Sequence, residues 1–214
     1  MLCSLGIFYF YGVVEQHIFL ALGWILFCVL HSLLAGIRTK QWMAKTSGSF
    51  FKYYRLFYTL FAFVSFAAII IYQVTISSPF IFSPNAVSYV AGIIAGLGGL
   101  LIMGLCIKKY FNKLSGLKTF FIDEFTSGNE LIITGIHRYV RHPLYAGTFL
   151  FIWGLFIFMP YTSLLISNFI ITIYTLIGIN FEEKKLEKEF GTSYQEYKKR
   201  VPKIIPSFKP SPAS

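Results

Sequence analysis

Charge is scarce in this sequence. Only 13% of its 214 residues are charged and nine are acidic, where a water-soluble domain of this size carries roughly a quarter charged. That shortage excludes a soluble globular enzyme, and the 56% apolar content excludes a disordered chain. Cysteine is equally thin. Cys3, Cys28 and Cys106 are an odd number without metal-ligand spacing, and two sit inside apolar runs. A secreted disulfide scaffold is excluded, no metal site is expected, and the cysteines read as packing residues. Aromatics, by contrast, abound: 24 Phe and 14 Tyr need apolar surroundings that a small soluble core does not supply. A mean hydropathy of +0.64 agrees. The chain reads as an integral membrane protein.

A membrane-crossing helix takes about 20 mostly apolar residues. Four runs qualify: Ile18 to Gly36, Tyr54 to Ser77, Ala86 to Ile107 and Tyr145 to Asn180. The last is too long for one helix and contains Pro160, which removes a donor and clashes with the preceding turn. It divides into Tyr145 to Met159 and Tyr161 to Asn180, a tight helical hairpin. The fold class expected is all-α, a polytopic membrane protein with about five transmembrane helices. The 19 Lys and Arg sort the faces: five lie in Arg38 to Arg55, six in Lys108 to Arg141 and eight in Lys184 to Lys209. The connections around Pro79 to Pro84 and at Pro160 hold none. Five spans put the three basic segments on one face, which the positive-inside rule makes cytoplasmic. The N-terminus then lies outside and the C-terminus inside, in a multi-pass protein of the bacterial inner (cytoplasmic) membrane.

The formal charge of +10 is thereby a topology and anionic-lipid signal, and nucleic acid is not expected as a partner. No Lys, Arg or Asp falls inside the spans, Arg55 standing at the edge of the second, which counts against a channel or pump. Residues Met1 to Val14 are apolar but too short to span, and Glu15-Gln16-His17 follow them. They either lie in the outer interface or extend the first helix. In the third span Gly92 and Gly96 form a small-xxx-small pair, read as a helix-packing face, with a floor for a bulky ligand as the alternative. His31, at the inner end of the first span, is expected in an interhelical hydrogen bond rather than on a substrate route.

Polar residues gather in two places. The first runs from Asn129 to Tyr145 and contains His137-Arg138-Tyr139-Val140-Arg141-His142-Pro143. Proline suits the first position of a helix, so a helix starts at Pro143 with His142 near its cap. Such a helix start presents N–H groups and partial positive charge to a carboxylate or phosphate. The alternative is an interfacial basic cluster reaching lipid headgroups. The second place is Glu182-Glu183, directly after twenty apolar residues. An acid at a membrane edge needs a cation, either a protein Arg or Lys or a ligand ammonium. Beyond it Leu186, Phe190, Tyr194, Tyr197 and Val201 recur at spacings of 4, 4, 3 and 4, an apolar stripe suited to lying on the membrane surface or capping a site. A carboxylate seat beside an ammonium seat describes a receptor for an amino acid moiety, such as the methionine portion of S-adenosylmethionine.

Gly135, Arg141-His142-Pro143-Leu144-Tyr145-Ala146-Gly147, Glu182-Glu183, Phe190-Gly191, Tyr194, Tyr197 and Val201-Pro202 together resemble the isoprenylcysteine carboxyl methyltransferase superfamily. That superfamily includes phospholipid methyltransferases and methanethiol S-methyltransferases. The resemblance covers about residues 120 to 206, and more loosely His31-Ser32-Leu33 and Tyr54-Arg55-Leu56-Phe57-Tyr58. It implies a membrane methyltransferase that binds S-adenosyl-L-methionine on its cytoplasmic side. The cofactor site it implies comprises Asn129, Glu130, Leu131, Ile132, His137, His142, Pro143, Leu144, Tyr145 and Glu182, with Arg141 and Glu183 as catalytic residues. Family members often have Tyr at the position of His137. Relatives acting on prenylcysteine carry an Arg where this chain has Gly178.

The organisation implied is three N-terminal spans over 1–107, a cofactor-binding catalytic region over 108–206 and a flexible tail over 207–214. The reaction expected is an in-line displacement of the sulfonium methyl by a lipophilic or small acceptor reaching the site from the bilayer, a carboxylate or a thiol, since no general base is evident. In it Glu182 takes the ammonium, the start of the fourth span with Arg141 or His142 takes the carboxylate, and Tyr145 packs on the adenine or the sulfonium. The competing reading is a non-catalytic membrane assembly or scaffold relative of the same fold.

Overall fold

The computed structural model describes residues 2–114, 131 and 133–207. Within them the chain is helical, with no β-strand beyond one isolated bridge between Phe80 and Tyr161. In chain order the helices are α1 (Leu2–Ala35), α2 (Ile37–Thr46), α3 (Tyr54–Thr75), α4 (Ala86–Leu114), α5 (Pro143–Phe158), α6 (Thr162–Phe190) and α7 (Thr192–Arg200). Among the described residues four stretches are long and apolar enough to cross a membrane: Tyr11–Ala35, Phe51–Thr75, Ala86–Lys108 and Thr162–Phe190. Helix α5 is apolar but shorter, at 16 residues. Pro160 falls between α5 and α6, where its ring ends one helix and frees the next to start.

The opening residues extend the first helix. α1 continues through Glu15-Gln16-His17, where Gln16 and His17 find partners. His17 Nδ1 donates to the Val13 carbonyl at 2.7 Å, and its Nε2 lies 3.2 Å from Ser78 Oγ.

Two compact units divide the chain. The first comprises residues 1–83 and 160–174, hence α1 to α3 and the start of α6. Its centre is the buried Trp24, edge-on to Phe27 and Phe66. The Gln73 side-chain oxygen accepts from Trp24 Nε1 at 3.4 Å and from Ser167 Oγ at 2.6 Å, so three helices meet at one amide. In hydrocarbon no water satisfies such a group, and neighbouring helices do so instead. Nearer the end of α1, Tyr54 donates to the Leu34 carbonyl at 2.7 Å and His31 lies 3.1 Å from the Tyr58 hydroxyl.

The second unit comprises residues 84–159 and 175–214. Its α4 and α5 touch backbone to backbone. A Cβ at Gly99 would lie 2.5 Å from the Phe151 nitrogen and 2.6 Å from the Gly147 oxygen. One at Gly92 would lie 2.6 Å from the Phe158 nitrogen, and one at Gly154 would lie 2.6 Å from the Gly96 nitrogen. Glycine therefore repeats every seven residues on both helices and brings the axes together. Gly92 belongs to this packing face. At Gly96 a Cβ would meet nothing within 4 Å, and only its backbone takes part.

Candidate active site at the start of α5

α5 opens with Pro143 at its first position and His142 as its cap residue. The stretch before it enters through a 3₁₀ turn, Gly135–Arg138, in which Gly135 takes a left-handed φ of +61° that favours glycine. Backbone hydrogen bonds then fasten the segment to the chain beyond α7. Arg141 N donates to the Pro202 carbonyl at 2.9 Å, His142 N to Lys203 at 3.1 Å, and Ser207 N to Tyr139 at 2.9 Å. The Tyr197 hydroxyl adds a bond to the His137 carbonyl at 2.8 Å.

α6 carries Glu182 and Glu183 in its C-terminal half, and the chain bends into α7 at Gly191, φ +56°. The apolar stripe therefore spans two helices rather than one. Leu186, Tyr194, Tyr197 and Val201 are buried together with Ile133, and Leu131 and Phe190 pack against them. The stripe faces the segment leading to α5 and so caps the site. Burial raises the Tyr194 and Tyr197 phenols well above tyrosine's ordinary range, so both stay neutral donors.

Two adjacent acids have different surroundings. Glu183 is buried, its side chain 5% exposed, and its Oε1 accepts from Arg141 Nε at 2.9 Å and Nη2 at 2.8 Å. Lys198 and Lys203 each bring an ammonium within 3.6 Å of its Oε2. Arg141 Nη1 donates to the carbonyls of Lys198 at 2.9 Å and Val201 at 2.6 Å. Four of the five guanidinium N–H groups are thus committed inside the protein. The Glu182 side chain is 38% exposed, and its Oε2 lies 3.8 Å from His142 Nδ1. Of the two acids, Glu183 takes the arginine and Glu182 keeps an accessible carboxylate.

His142 connects them. Its Nε2 lies 3.2 Å from Glu183 Oε1, and since a carboxylate only accepts, Nε2 carries the proton. Burial holds the imidazole below histidine's ordinary range, against the pull of Glu182 and Glu183. A neutral ring with Nε2 protonated leaves a lone pair on Nδ1, the atom nearest Glu182. Two acceptors 3.8 Å apart, one anionic and one neutral, form a seat for an N–H cation.

The fold thus brings together Arg141, His142, Pro143, Leu144, Tyr145, Glu182 and Glu183. The Tyr145 ring centroid lies 5.8 Å from that of His142. His137 is adjacent, its Nδ1 3.3 Å from the Arg141 carbonyl. Leu131 packs on the apolar cluster. Asn129, Glu130 and Ile132 lie outside the described residues. Sequence reasoning missed Asn180, Lys198 and Lys203. The Lys203 ammonium donates to Asn180 Oδ1 at 2.8 Å, and Lys203 directly follows the Val201-Pro202 motif, the signal that could have found it.

Apolar helices with an ionic cluster where a helix begins define a helical membrane protein. Comparison with known sequences makes this specific. Residues 87–193, half of the chain, match the phospholipid methyltransferase family, and the chain belongs to that family, within the isoprenylcysteine carboxyl methyltransferase superfamily. The chain is similar to a methanethiol S-methyltransferase of Crocosphaera subtropica, 43% identical over 70 residues, covering 33% of this chain and 27% of that protein. It is similar to a protein-S-isoprenylcysteine O-methyltransferase of Schizosaccharomyces pombe, 40% identical over 84 residues, covering 36% and 33%. The human protein-S-isoprenylcysteine O-methyltransferase is 29% identical over 120 residues, covering 51% and 40%. The chain thus spans less than half the length of each of these three. No solved structure matches.

Proposed function

We propose that the chain is an integral membrane methyltransferase that uses S-adenosyl-L-methionine and transfers a methyl group to a lipophilic or small acceptor, a thiol or a carboxylate. It crosses the bacterial inner membrane five times, α5 being the shortest span, with its N-terminus outside and its C-terminus in the cytoplasm. That count keeps the three basic segments on one face. Residues 1–107 supply the first three spans, 108–206 the cofactor-binding region, and 207–214 a flexible tail.

The observation that carries this reading is the seat between Glu182 Oε2 and His142 Nδ1 beside the first turn of α5. The donor set fits the methionine end of the cofactor. Glu182 and the His142 lone pair suit an ammonium, and the N–H groups opening α5 suit a carboxylate. S-adenosyl-L-methionine, when bound, supplies a methyl group on a sulfonium already activated for displacement. The chain's own work is then to bind, orient and keep water out. Tyr145 offers a ring face beside His142, suited to adenine or to a cation. His137, Leu131, Asn129, Glu130 and Ile132 complete the proposed cofactor site.

Arg141 and Glu183 serve catalysis by position. Glu183 fixes the proton on His142 Nε2, and Arg141 anchors the end of α7 over the site. With Glu183 held by cations and His142 held by Glu183, the site favours an acceptor that arrives ionised. Gly178 is exposed and places no cation where prenylcysteine-acting relatives have one, which favours acceptors that do without it. The test is incubation of the purified protein with methyl-labelled cofactor and a membrane extract. Label should enter a lipophilic or volatile product, base-stable for a thioether and base-labile for an ester, and Glu182→Gln should abolish it. A wild type that binds the cofactor yet labels nothing would be the non-catalytic relative.

A further inference from the structure

Helix α2 joins two apolar stretches, one ending at Ala35 and the next beginning at Phe51, so in the membrane it lies where the chain leaves and re-enters the bilayer. Gly36, with extended backbone (φ −63°, ψ 142°), breaks it from α1, and none of its ten residues is buried. Arg38, Trp42 and Lys45 follow at i, i+4 and i+7 and share a face, and Lys40 adds a cation on the flank. All four are exposed, Trp42 to 61%, while Thr39 and Met43 form the less exposed side. An indole between two cations on an outward face is the arrangement that places the ring at headgroup level and the charges among phosphates.

The sequence supplies these cations with no counter-charge nearby. No acidic residue occurs between Glu15 and Asp123, and Glu15 is the one acid in the first unit. It lies 20 residues before the end of α1, about 30 Å along the helix axis. Among the described residues Arg38, Lys40 and Lys45 form no ion pair. Charge complementarity therefore has to come from outside the unit, from whatever the exposed face of α2 meets at the bilayer surface.

We infer that α2 is a docking surface for anionic phospholipid headgroups, with Arg38, Lys40 and Lys45 on the phosphates and Trp42 at the headgroup–acyl boundary. The interaction is independent of the methyltransferase reading and adds a lipid-composition dependence to this protein. It is tested on the full chain in nanodiscs of phosphatidylcholine containing a minority of phosphatidylglycerol, with brominated acyl chains on one lipid or the other. The Trp42 signal is the fluorescence difference between wild type and Trp42→Phe.

Quenching per brominated lipid should be about fivefold stronger for phosphatidylglycerol than for phosphatidylcholine, the weight of one surface cation. The preference should fade in high salt and vanish in Arg38→Gln/Lys40→Gln/Lys45→Gln. All three positions are exposed, so the variant should unfold at the wild-type temperature. If it does not, the salt titration of the wild type decides alone. Equal quenching by the two lipids, or a preference that survives salt or the triple substitution, would overturn the inference.

Discussion

The two units hold their helices with different chemistry. In the first, buried polar groups bond one another: Trp24 and Ser167 share the neutral Gln73 amide, and His17 meets a carbonyl and Ser78. In the second, α4 and α5 join through bare glycine backbone, and the buried Arg141–Glu183 ion pair lies near the start of α5. The difference follows from solvent. In hydrocarbon a neutral group with two partners is affordable, whereas an ion costs several kcal/mol unless paired. Ions are kept where helices begin and end. There they can be both paired inside, as Glu183 is, and left reachable, as Glu182 is.

The contrast can be broken most strongly at the buried ion pair. Arg141→Met leaves Glu183 buried beside its remaining cations and frees the Lys198 and Val201 carbonyls. A loss of about 3–5 kcal/mol is expected, read as early unfolding of residues 133–159 and 175–207 by hydrogen exchange, with the first unit's exchange unchanged. Next in size is Gly99→Ala, whose Cβ would meet backbone atoms that cannot turn aside. It should cost about 1–3 kcal/mol in thermal unfolding, the penalty of overpacking. Ser167→Ala, which leaves Gln73 with Trp24, should cost only about 1 kcal/mol, the weight of a neutral hydrogen bond. A larger loss at Ser167 than at Arg141 would invert the comparison.

The smallest effect expected is on pH. Burial lowers the folded His142 below its ordinary value of 6.5, so between the folded value and 6.5 the unfolded chain binds more protons. This group's contribution is therefore present above pH 6.5 and lost as pH falls below it. Unfolding followed from neutral to mildly acidic pH should show the decline, and His142→Gln should flatten that part of the profile.

Much of this was legible in the sequence. Apolar run lengths placed the long helices, Pro143 marked the start of α5, and Pro160 separated α5 from α6, because proline acts through its own ring and needs no tertiary context. The stripe from Leu186 to Val201 was legible as a set of core residues but not as a bend, since its spacing runs through Gly191 without interruption. Only the left-handed backbone there turns one periodic face into two helices. The division of labour between Glu182 and Glu183 was not legible either. Adjacent residues on a helix point about 100° apart, and which of them meets Arg141 depends on backbone pairing to Pro202 and Lys203, some sixty residues away. Gly99, Gly147 and Gly154 were likewise hidden, because the partner helix decides which glycines of a rich stretch make contact.

The central claim is that Glu182, the accessible member of the acid pair, holds the cofactor's ammonium while Glu183 holds the site together. Calorimetric titration of the detergent-purified protein with S-adenosylhomocysteine, beside Glu182→Gln, tests it directly. The account predicts binding by the wild type, weakened at least tenfold in the variant, as expected for a charge-assisted hydrogen bond of about 1.5–3 kcal/mol, with the unfolding temperature unchanged. No binding by a folded wild type, or equal binding by Glu182→Gln, would contradict it.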